Sequence, residues 1–268
     1  MKRLLVTVAA VAALTLAAAC GSSDDNPSGS GSSSGASASA SSGGVSGTVT
    51  VFAAASLTGS FSTLGKQFEA AHPGTTVKFN FGASSSLAEN INQGAPADVF
   101  ASASPTNMQQ VVDAGGASDS KTFANNVMEI AVPPDNPANV TQVTDLAKSS
   151  VKVALCQPEV PCGKVAQEVF KKANVTVKPV TQGADVKAVL TTVQLGEVDA
   201  GMVYQTDAQA AGTKVKGIVI PADQNASTSY PIAALTKAPN TAGAAAFVDY
   251  VLSADGEKVL SQAGFAAP

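Results

Sequence analysis

From Thr48 onward, short runs rich in β-branched and aromatic residues alternate with amphipathic stretches of helical length. VTVF at residues 49–52, TVKFNF at 76–81 and ADVFASA at 97–103 each precede a stretch of the second kind. This alternation predicts strands that are mostly parallel, with helices packed on the faces of the sheet. The first half of the chain therefore predicts one α/β lobe.

The same rhythm starts again in the second half of the chain. VKVALC at residues 151–156, VTVKPVT at 175–181 and VDAGMVY at 198–204 read as strands, each followed by a helical pattern. The ending, a strand within SYPIAALTK and two helices, is expected to return to the first lobe. We predict an α/β protein of two lobes, each a mixed sheet flanked by helices.

The predicted lobe boundaries follow from this order. Lobe I takes residues 48–127 and 228–268, and lobe II takes residues 128–227. Two crossover segments, near 126–133 and near 222–232, join the lobes, and a hinge is expected there.

The N-terminus has the layout of an export signal. In residues 1–20, Lys2 and Arg3 precede an apolar run and small residues that end at Cys20. Ala-Ala-Ala-Cys resembles the lipobox of bacterial lipoproteins, which implies that Cys20 carries lipid and anchors the protein to the outer face of the cytoplasmic membrane. Residues 21–47 are almost entirely Ser, Gly and Ala, so they predict a flexible tether.

Two of the three cysteines, Cys156 and Cys162, are close together in LCQPEVPCG. An exported pair tends to oxidise, so we favour a disulfide. A metal site and two reduced core thiols stay open as alternatives, although the single histidine, His72, offers little to a zinc site.

The net charge of −4 and the 13% content of charged residues argue against nucleic acid as a partner.

Four turns between strand and helix share one property, which is that small or hydroxyl residues begin the helix. They are AAASL at Ser56, GASSSL at Ser84, VPCGK at Cys162 and GADVK at Val186. Helix N-termini present unpaired N–H groups and the positive end of the helix dipole. If the four turns meet where parallel strands end, their donors form a cage for a small oxyanion.

These motifs, together with GAPADVFASAS, PEVPCG and DAGMVYQTDA, resemble the periplasmic molybdate-binding proteins of ABC transporters, from about Thr48 to Phe265. The resemblance implies a periplasmic-binding-protein fold and a monomer without a cofactor that delivers molybdate or tungstate to a permease and its ATPase. It also implies an oxyanion site made of Ser56, Ser84, Cys162, Val186 and Tyr204. The metal is expected there only as the central atom of the oxyanion. Family members have Ala at the position of Cys162, where a backbone donor tolerates either side chain.

Each site residue also has a plainer interpretation. Ser56 and Ser84 are residue types that commonly cap helices, and Tyr204 could be an ordinary core tyrosine. Ser85 and Ser86 are adjacent to Ser84, so the contacting serine is open. The first-turn lysines, Lys164 and Lys187, are expected on the solvated surface.

Two other functions compete with the molybdate prediction. Sulfate is a dianion without a proton, as molybdate is, so cavity size alone would exclude it. A serine-dependent hydrolase is the alternative from a different class, but His72 precedes a proline and no G-x-S-x-G elbow occurs. A Ser–Lys pair stays open at this stage, and we predict a binding protein and not an enzyme.

Overall fold

The structure, a computed structural model, describes residues 45–268. The predicted export signal, the lipidation of Cys20 and most of the tether lie outside these residues. The strands are β1 Gly47–Ala54, β2 Thr75–Gly82, β3 Val99–Ala101, β4 Lys121–Val132, β5 Val153–Cys156, β6 Thr181–Gly183, β7 Ala200–Tyr204, β8 Lys216–Val219 and β9 Ser227–Ala234. The α-helices are α1 Thr58–Ala71, α2 Ser84–Asn92, α3 Pro105–Asp113, α4 Pro161–Lys172, α5 Val186–Gln194, α6 Gln205–Ala211, α7 Thr241–Val251 and α8 Ala254–Gln262. Short 3-10 helices lie at Ala55–Leu57, Val143–Ala147 and Gly212–Lys214.

The first lobe is a mixed sheet in the order β2-β1-β3-β9, with β4 beside β9. β1 is parallel to both β2 and β3, whereas β9 is antiparallel to its neighbours. Side chains alternate between the faces of a strand, so Val49 and Val51 of β1 pack with α1, α7 and α8, while Phe52 packs with α2 and α3. The sheet is therefore covered by helices on both faces, and the chain's ending returns to this lobe as predicted.

The second lobe is built on β7, β5 and β6, which are parallel, and on the end of β4 with β8 beside it. Its buried side chains form one apolar cluster in which Ile130 of β4 and Met202 of β7 are fully buried. Helices α4 and α5 contribute Val169 and Val193 to the same cluster. The predicted class, two α/β lobes with mixed sheets, is confirmed.

Two segments carry the chain between the lobes. β4 pairs with β9 over its first part and with β7 and β8 from Met128 onward, so this single strand belongs to both lobes. The return crossing lies between β8 and β9, where Met128 N donates to Ala226 O at 3.3 Å. The first crossing lies within the segment predicted near 126–133, and the return crossing, at residues 220–226, overlaps the segment predicted near 222–232.

Three local predictions need correction. Residues 175–181 were expected to form a strand, but β6 begins only at Thr181. Pro179 within that run has no N–H to give to a neighbouring strand, and this confines the pairing to the residues after it. β8 was not predicted, and β3 spans fewer residues than the run ADVFASA.

The boundary between tether and lobe also differs slightly from the prediction. β1 begins at Gly47, and Val45 packs against the core of the first lobe, with its carbonyl oxygen 2.9 Å from Thr75 Oγ1. The last residues assigned to the tether therefore belong to the folded part. Among the helices of residues 45–268, none has the length and apolar character needed to cross a membrane.

Candidate functional site

A small cavity of about 20 Å³ lies between the two lobes, where the four predicted turns meet. Pockets for drug-sized molecules measure roughly 300–1,000 Å³, so this cavity suits a compact inorganic ion and not a sugar or an amino acid. All five residues predicted for the site line it. The complete lining is Ala54, Ala55, Ser56, Gly82, Ala83, Ser84, Ala103, Val160, Pro161, Cys162, Asp185, Val186 and Tyr204.

The first lobe contributes two serine hydroxyls to the cavity. Ser84, which is 1% exposed, accepts a hydrogen bond from Ala103 N at 2.9 Å, so its own proton is free to point elsewhere. Ser56 Oγ lies 2.9 Å from Tyr230 Oη. Both hydroxyls are therefore held in position by a neighbouring polar group.

The interpretation of these serines as helix caps is wrong. In the described part of the chain, no side chain caps the 3-10 helix at Ala55 or helix α2, whose N-cap residues are Ala54 and Ala83. Ser84 is instead the first residue of α2. Of the three adjacent serines, only Ser84 lines the small cavity, because Ser85 and Ser86 face a larger cleft of about 890 Å³ outside it.

The second lobe contributes the starts of two helices. Cys162 follows Pro161 at the beginning of α4, and Val186 is the first residue of α5. The first amides of an α-helix have no acceptor within the helix. Asp185 caps α5 by accepting from Lys187 N at 2.8 Å and Ala188 N at 3.0 Å, and the amide of Val186 is not among those it caps.

Tyr204 ends β7 and stands at the cavity wall with 1% of its surface exposed. Within residues 45–268, its hydroxyl oxygen has no hydrogen-bond partner. Burial raises the pKa of Tyr204 well above its ordinary value, with further contributions from Tyr230 and Asp207. The hydroxyl therefore stays protonated at physiological pH, and it is a buried donor that a ligand can satisfy.

A disulfide joins Cys156, the last residue of β5, to Cys162 in the first turn of α4, with a Cα–Cα distance of 5.8 Å. Gly163 is needed beside it, since a Cβ there would clash with the carbonyl of Gln157. The bridge thus ties the helix start at the cavity to the strand that leads into it.

Lys187 was predicted to lie on the solvated surface, but its side chain is only partly exposed and contacts a buried carboxylate. Its Nζ lies 2.7 Å from Asp207 Oδ1, and Asp207 is fully buried at the start of α6. The contact is a close pairing of charges without good hydrogen-bond direction. Burial raises the pKa of Asp207, and Lys187 opposes that rise. Lys164 is exposed and lines the larger cleft, as expected.

The cavity combines hydroxyl groups and helix-start amides, which can donate hydrogen bonds, with one carboxylate, that of Asp185, which already accepts from Lys187 N and Ala188 N. Its lining within the described residues includes no lysine, arginine or histidine side chain. Ser56 and Ser84 are bonded to a tyrosine and to a backbone amide, and neither group is a base that could activate a serine. Over residues 45–268, no cluster of three or more His, Cys, Asp or Glu could hold a metal ion.

Sequence reasoning missed two residues near the cavity, Tyr230 and Asp207. Tyr230 lies on β9, within the run SYPIAALTK that was interpreted only as a strand, and only the tertiary fold brings it to Ser56. Asp207 falls within the motif DAGMVYQTDA, and an acidic residue in the first turn of a short helix looks like an ordinary helix start. The full burial of Asp207 distinguishes it from an ordinary acidic residue at a helix start, and that burial cannot be inferred from the sequence.

Comparison with known proteins identifies the family of the chain. The family model described as bacterial extracellular solute-binding protein matches residues 49–266. The chain therefore belongs to the bacterial extracellular solute-binding proteins, a family of binding proteins and not of enzymes. The molybdate-binding protein ModA of Mycobacterium tuberculosis is 40% identical over 222 residues, which cover 82% of this chain and 85% of that protein. Within the solute-binding class, the chain belongs to the ModA family, which confirms the resemblance.

Solved structures share the fold at lower identity. The periplasmic molybdate-binding protein of Azotobacter vinelandii has a TM-score of 0.74 at 20% identity, covering 82% of this chain and 99% of that one. The sulfate-binding protein SubI of Mycobacterium tuberculosis has a TM-score of 0.73 at 20% identity, covering 82% of this chain and 86% of that one. These two similarities show the fold alone and do not discriminate between the two anions.

Proposed function

We propose that this protein captures molybdate or tungstate in the cavity between its lobes and delivers the anion to an ABC importer. The observation that carries the proposal is Tyr204, which lines a small cavity beside helix starts and whose buried hydroxyl lacks a partner among the described residues. The 40% identity to the molybdate-binding protein of Mycobacterium tuberculosis supports this choice of anion.

In the proposed site, the oxyanion accepts hydrogen bonds from the hydroxyls of Ser56, Ser84 and Tyr204 and from the amides of Cys162 and Val186. Charge-assisted hydrogen bonds and helix dipoles then replace the water that the dianion loses. Such a site disfavours monohydrogen phosphate, because the proton of that ligand would face another donor.

Sulfate is the second candidate ligand. The sulfate-binding protein SubI shares the fold with a TM-score of 0.73, and sulfate also lacks a proton at neutral pH. A donor cage therefore accepts both anions, and only the dimensions of the cavity separate them.

Binding is proposed to close the two lobes on the anion. The first lobe, residues 48–127 and 228–268, holds the two serines, and the second, residues 128–227, holds the other three donors. The two crossover segments then act as the hinge. The anion would accept hydrogen bonds from donors of both lobes, so the closed form is favoured when the anion is present.

The proposal extends to the protein's place in the cell. The family is extracellular, and Cys20 within its lipobox-like sequence is the proposed site of lipidation and the first residue that remains once residues 1–19 are removed. The lipid holds the protein at the outer face of the cytoplasmic membrane, and the tether that runs from residue 21 to the start of the folded part lets a monomer reach its permease.

Titration calorimetry and thermal melts with molybdate, tungstate, sulfate and phosphate test the proposal. A ligand at about 1,000 times its dissociation constant adds about 4 kcal/mol to the free energy of unfolding, a shift of several degrees. Molybdate and tungstate should raise the melting temperature, and Tyr204→Phe should weaken their binding by roughly 1–3 kcal/mol. Tyr250→Phe is the matched control, because Tyr250 is partly exposed and its hydroxyl donates to Gln67, which does not line the cavity. A shift with sulfate alone would change the assigned anion, and no shift with any anion would contradict the proposal.

A further inference from the structure

Tyr230 links Ser56, which lines the cavity, to Asn126 on β4. It is fully buried on β9, and its hydroxyl oxygen lies 2.9 Å from Ser56 Oγ and 3.4 Å from Asn126 Nδ2. The same Asn126 amide nitrogen donates to Thr206 Oγ1 at 2.8 Å, so it reaches across to α6 of the second lobe. Four side chains thus form a continuous polar chain behind the cavity wall.

The direction of the hydrogen bonds among these four side chains is fixed by the amide group of Asn126. Asn126 Oδ1 accepts from Val127 N at 3.0 Å, which orients the amide so that its NH₂ group faces Tyr230 and Thr206. An NH₂ group only donates, so the oxygen of Tyr230 accepts from it. The single proton of the Tyr230 hydroxyl then has one acceptor in reach among the bonds described, the oxygen of Ser56. The opposite direction would leave a buried tyrosine proton facing the NH₂ donor.

We propose that Tyr230 is a positioning residue that fixes Ser56 as a donor toward the cavity. Ser56 accepts from Tyr230, so its own proton is left to point at the bound anion. A serine hydroxyl can otherwise donate or accept, and a serine free to turn would also accommodate a protonated ligand. Tyr230 therefore enforces the preference for an oxyanion without a proton, although it does not line the cavity itself.

The inference rests on the proposed function, because it concerns how that site selects its anion. The critical measurement is the ratio of the dissociation constants for phosphate and molybdate in mildly alkaline buffer. Monohydrogen phosphate and molybdate both carry two negative charges there, so the ratio reports on the ligand's proton and not on its charge. If Tyr230 has only a structural role, its substitution would weaken the binding of both anions equally and leave the ratio of their dissociation constants unchanged.

The experiment compares wild type, Tyr230→Phe and Tyr250→Phe by titration calorimetry and competition with molybdate. We expect Tyr230→Phe to lower the phosphate-to-molybdate ratio by about tenfold, which corresponds to about 1.4 kcal/mol, whereas Tyr250→Phe keeps the wild-type ratio. In a Ser56→Ala background the effect of Tyr230→Phe on the ratio should vanish, because Tyr230 acts through Ser56. An unchanged ratio in Tyr230→Phe overturns the inference.

A second variant covers the case in which Tyr230→Phe fails to fold. Asn126→Asp replaces the NH₂ donor with an acceptor, so the Tyr230 proton can turn away from Ser56, and the ratio should again fall. An unchanged ratio in Asn126→Asp contradicts the fixed direction of the chain. If the wild-type protein binds no molybdate, the proposed function fails. If the wild-type protein binds molybdate but both variants keep its selectivity, the proposed function stands and the role of Tyr230 is overturned.

Discussion

The two lobes face the same cavity with different chemical groups. The first lobe offers side-chain hydroxyls, those of Ser56 and Ser84, whereas the second offers two helix starts, at Cys162 and Val186, together with the hydroxyl of Tyr204. A hydroxyl can rotate about its bond, so its direction must be set by a neighbour. A backbone amide has no such freedom, and its direction is set by the helix that it begins.

This difference explains where the supporting contacts lie. In the first lobe, hydrogen bonds from Ala103 N and Tyr230 hold the serine oxygens. In the second lobe, the ties act on whole elements, since the disulfide fixes the start of α4 to β5 and the pair of Lys187 and Asp207 fixes α5 to α6. Substitutions should therefore act differently in the two lobes. In the first lobe, the loss of a single hydroxyl should weaken binding, whereas in the second lobe the loss of the disulfide or of the ion pair should release whole elements.

The largest effect is expected from removing both hydroxyls of the first lobe. A hydrogen bond to a charged group contributes about 1.5–3 kcal/mol, so Ser56→Ala combined with Ser84→Ala should cost about 4 kcal/mol of binding, close to a thousandfold in affinity. Calorimetric titration with molybdate measures the loss, and melts without ligand verify that the variant folds. A double variant that binds within tenfold of wild type would remove the serines from the site.

A smaller effect, on stability, is expected from breaking the ion pair of the second lobe. Lys187→Met leaves Asp207 buried without its partner, and breaking a buried pair costs about 3 kcal/mol. The 32% exposure of the Lys187 side chain places the expected value at the low end of the usual range. Lys164→Met is the matched control, because Lys164 is exposed in the first turn of the neighbouring helix α4.

The pH dependence of this effect has a defined sign. Burial raises the pKa of Asp207 above its ordinary value of 3.8, and loss of Lys187 raises it further. A carboxyl with a raised pKa stabilises the fold at low pH and loses that contribution as the pH rises through the raised value. The deficit of Lys187→Met should therefore be largest at neutral pH and shrink on acidification, as followed by urea unfolding. A deficit that grows on acidification would contradict the pairing.

The disulfide is expected to matter less than the ion pair. It spans a sequence separation of 6 residues, and the chain-entropy estimate for so short a loop is about 2 kcal/mol. Cys156→Ser combined with Cys162→Ser should lower the melting temperature by roughly 5 °C. It should also weaken molybdate binding, because the start of α4 is released.

Thiol titration supplies the control for that prediction. Residues 45–268 lie within one compact unit, and a fragment of these residues contains only the two paired cysteines. Denatured without reductant, the fragment should show no reactive thiol. Two reactive thiols would contradict the bridge, and the double variant would then need another explanation.

Hydrophobic periodicity was sufficient to predict most of the fold. The apolar run of β1, which is buried from Val51 to Ala54, and the return of β9, α7 and α8 to the first lobe follow from patterns visible in the sequence. The errors arose where local signals were weak or conflicting. The run at residues 175–181 has β-branched residues on both sides of Pro179, and the missing N–H outweighed their propensity.

The candidate site was predictable where it depends on short motifs. The turns at Ser56, Ser84, Cys162 and Val186 could be aligned by sequence, and the structure brings them together around one cavity. Tyr230 could not be inferred, because it is 174 residues from Ser56 and meets it only through the pairing of β9 with β3 and β4. The burial of Asp207 likewise depends on the packing of α6 and not on its neighbours in sequence.

The smallest effect tests the backbone donors of the second lobe directly. Proline is tolerated at the first position of a helix, and the preceding residue, Asp185, already has the extended conformation that proline requires, with φ −152° and ψ 179°. Val186→Pro therefore removes one N–H while leaving α5 able to form, and it should weaken molybdate binding about tenfold. Val186→Ala trims the same buried side chain but keeps the amide, so it should bind nearly as wild type does. If the two variants bind equally well, the amide of Val186 makes no contact with the anion, and the contrast between a lobe of hydroxyls and a lobe of amides fails at that helix.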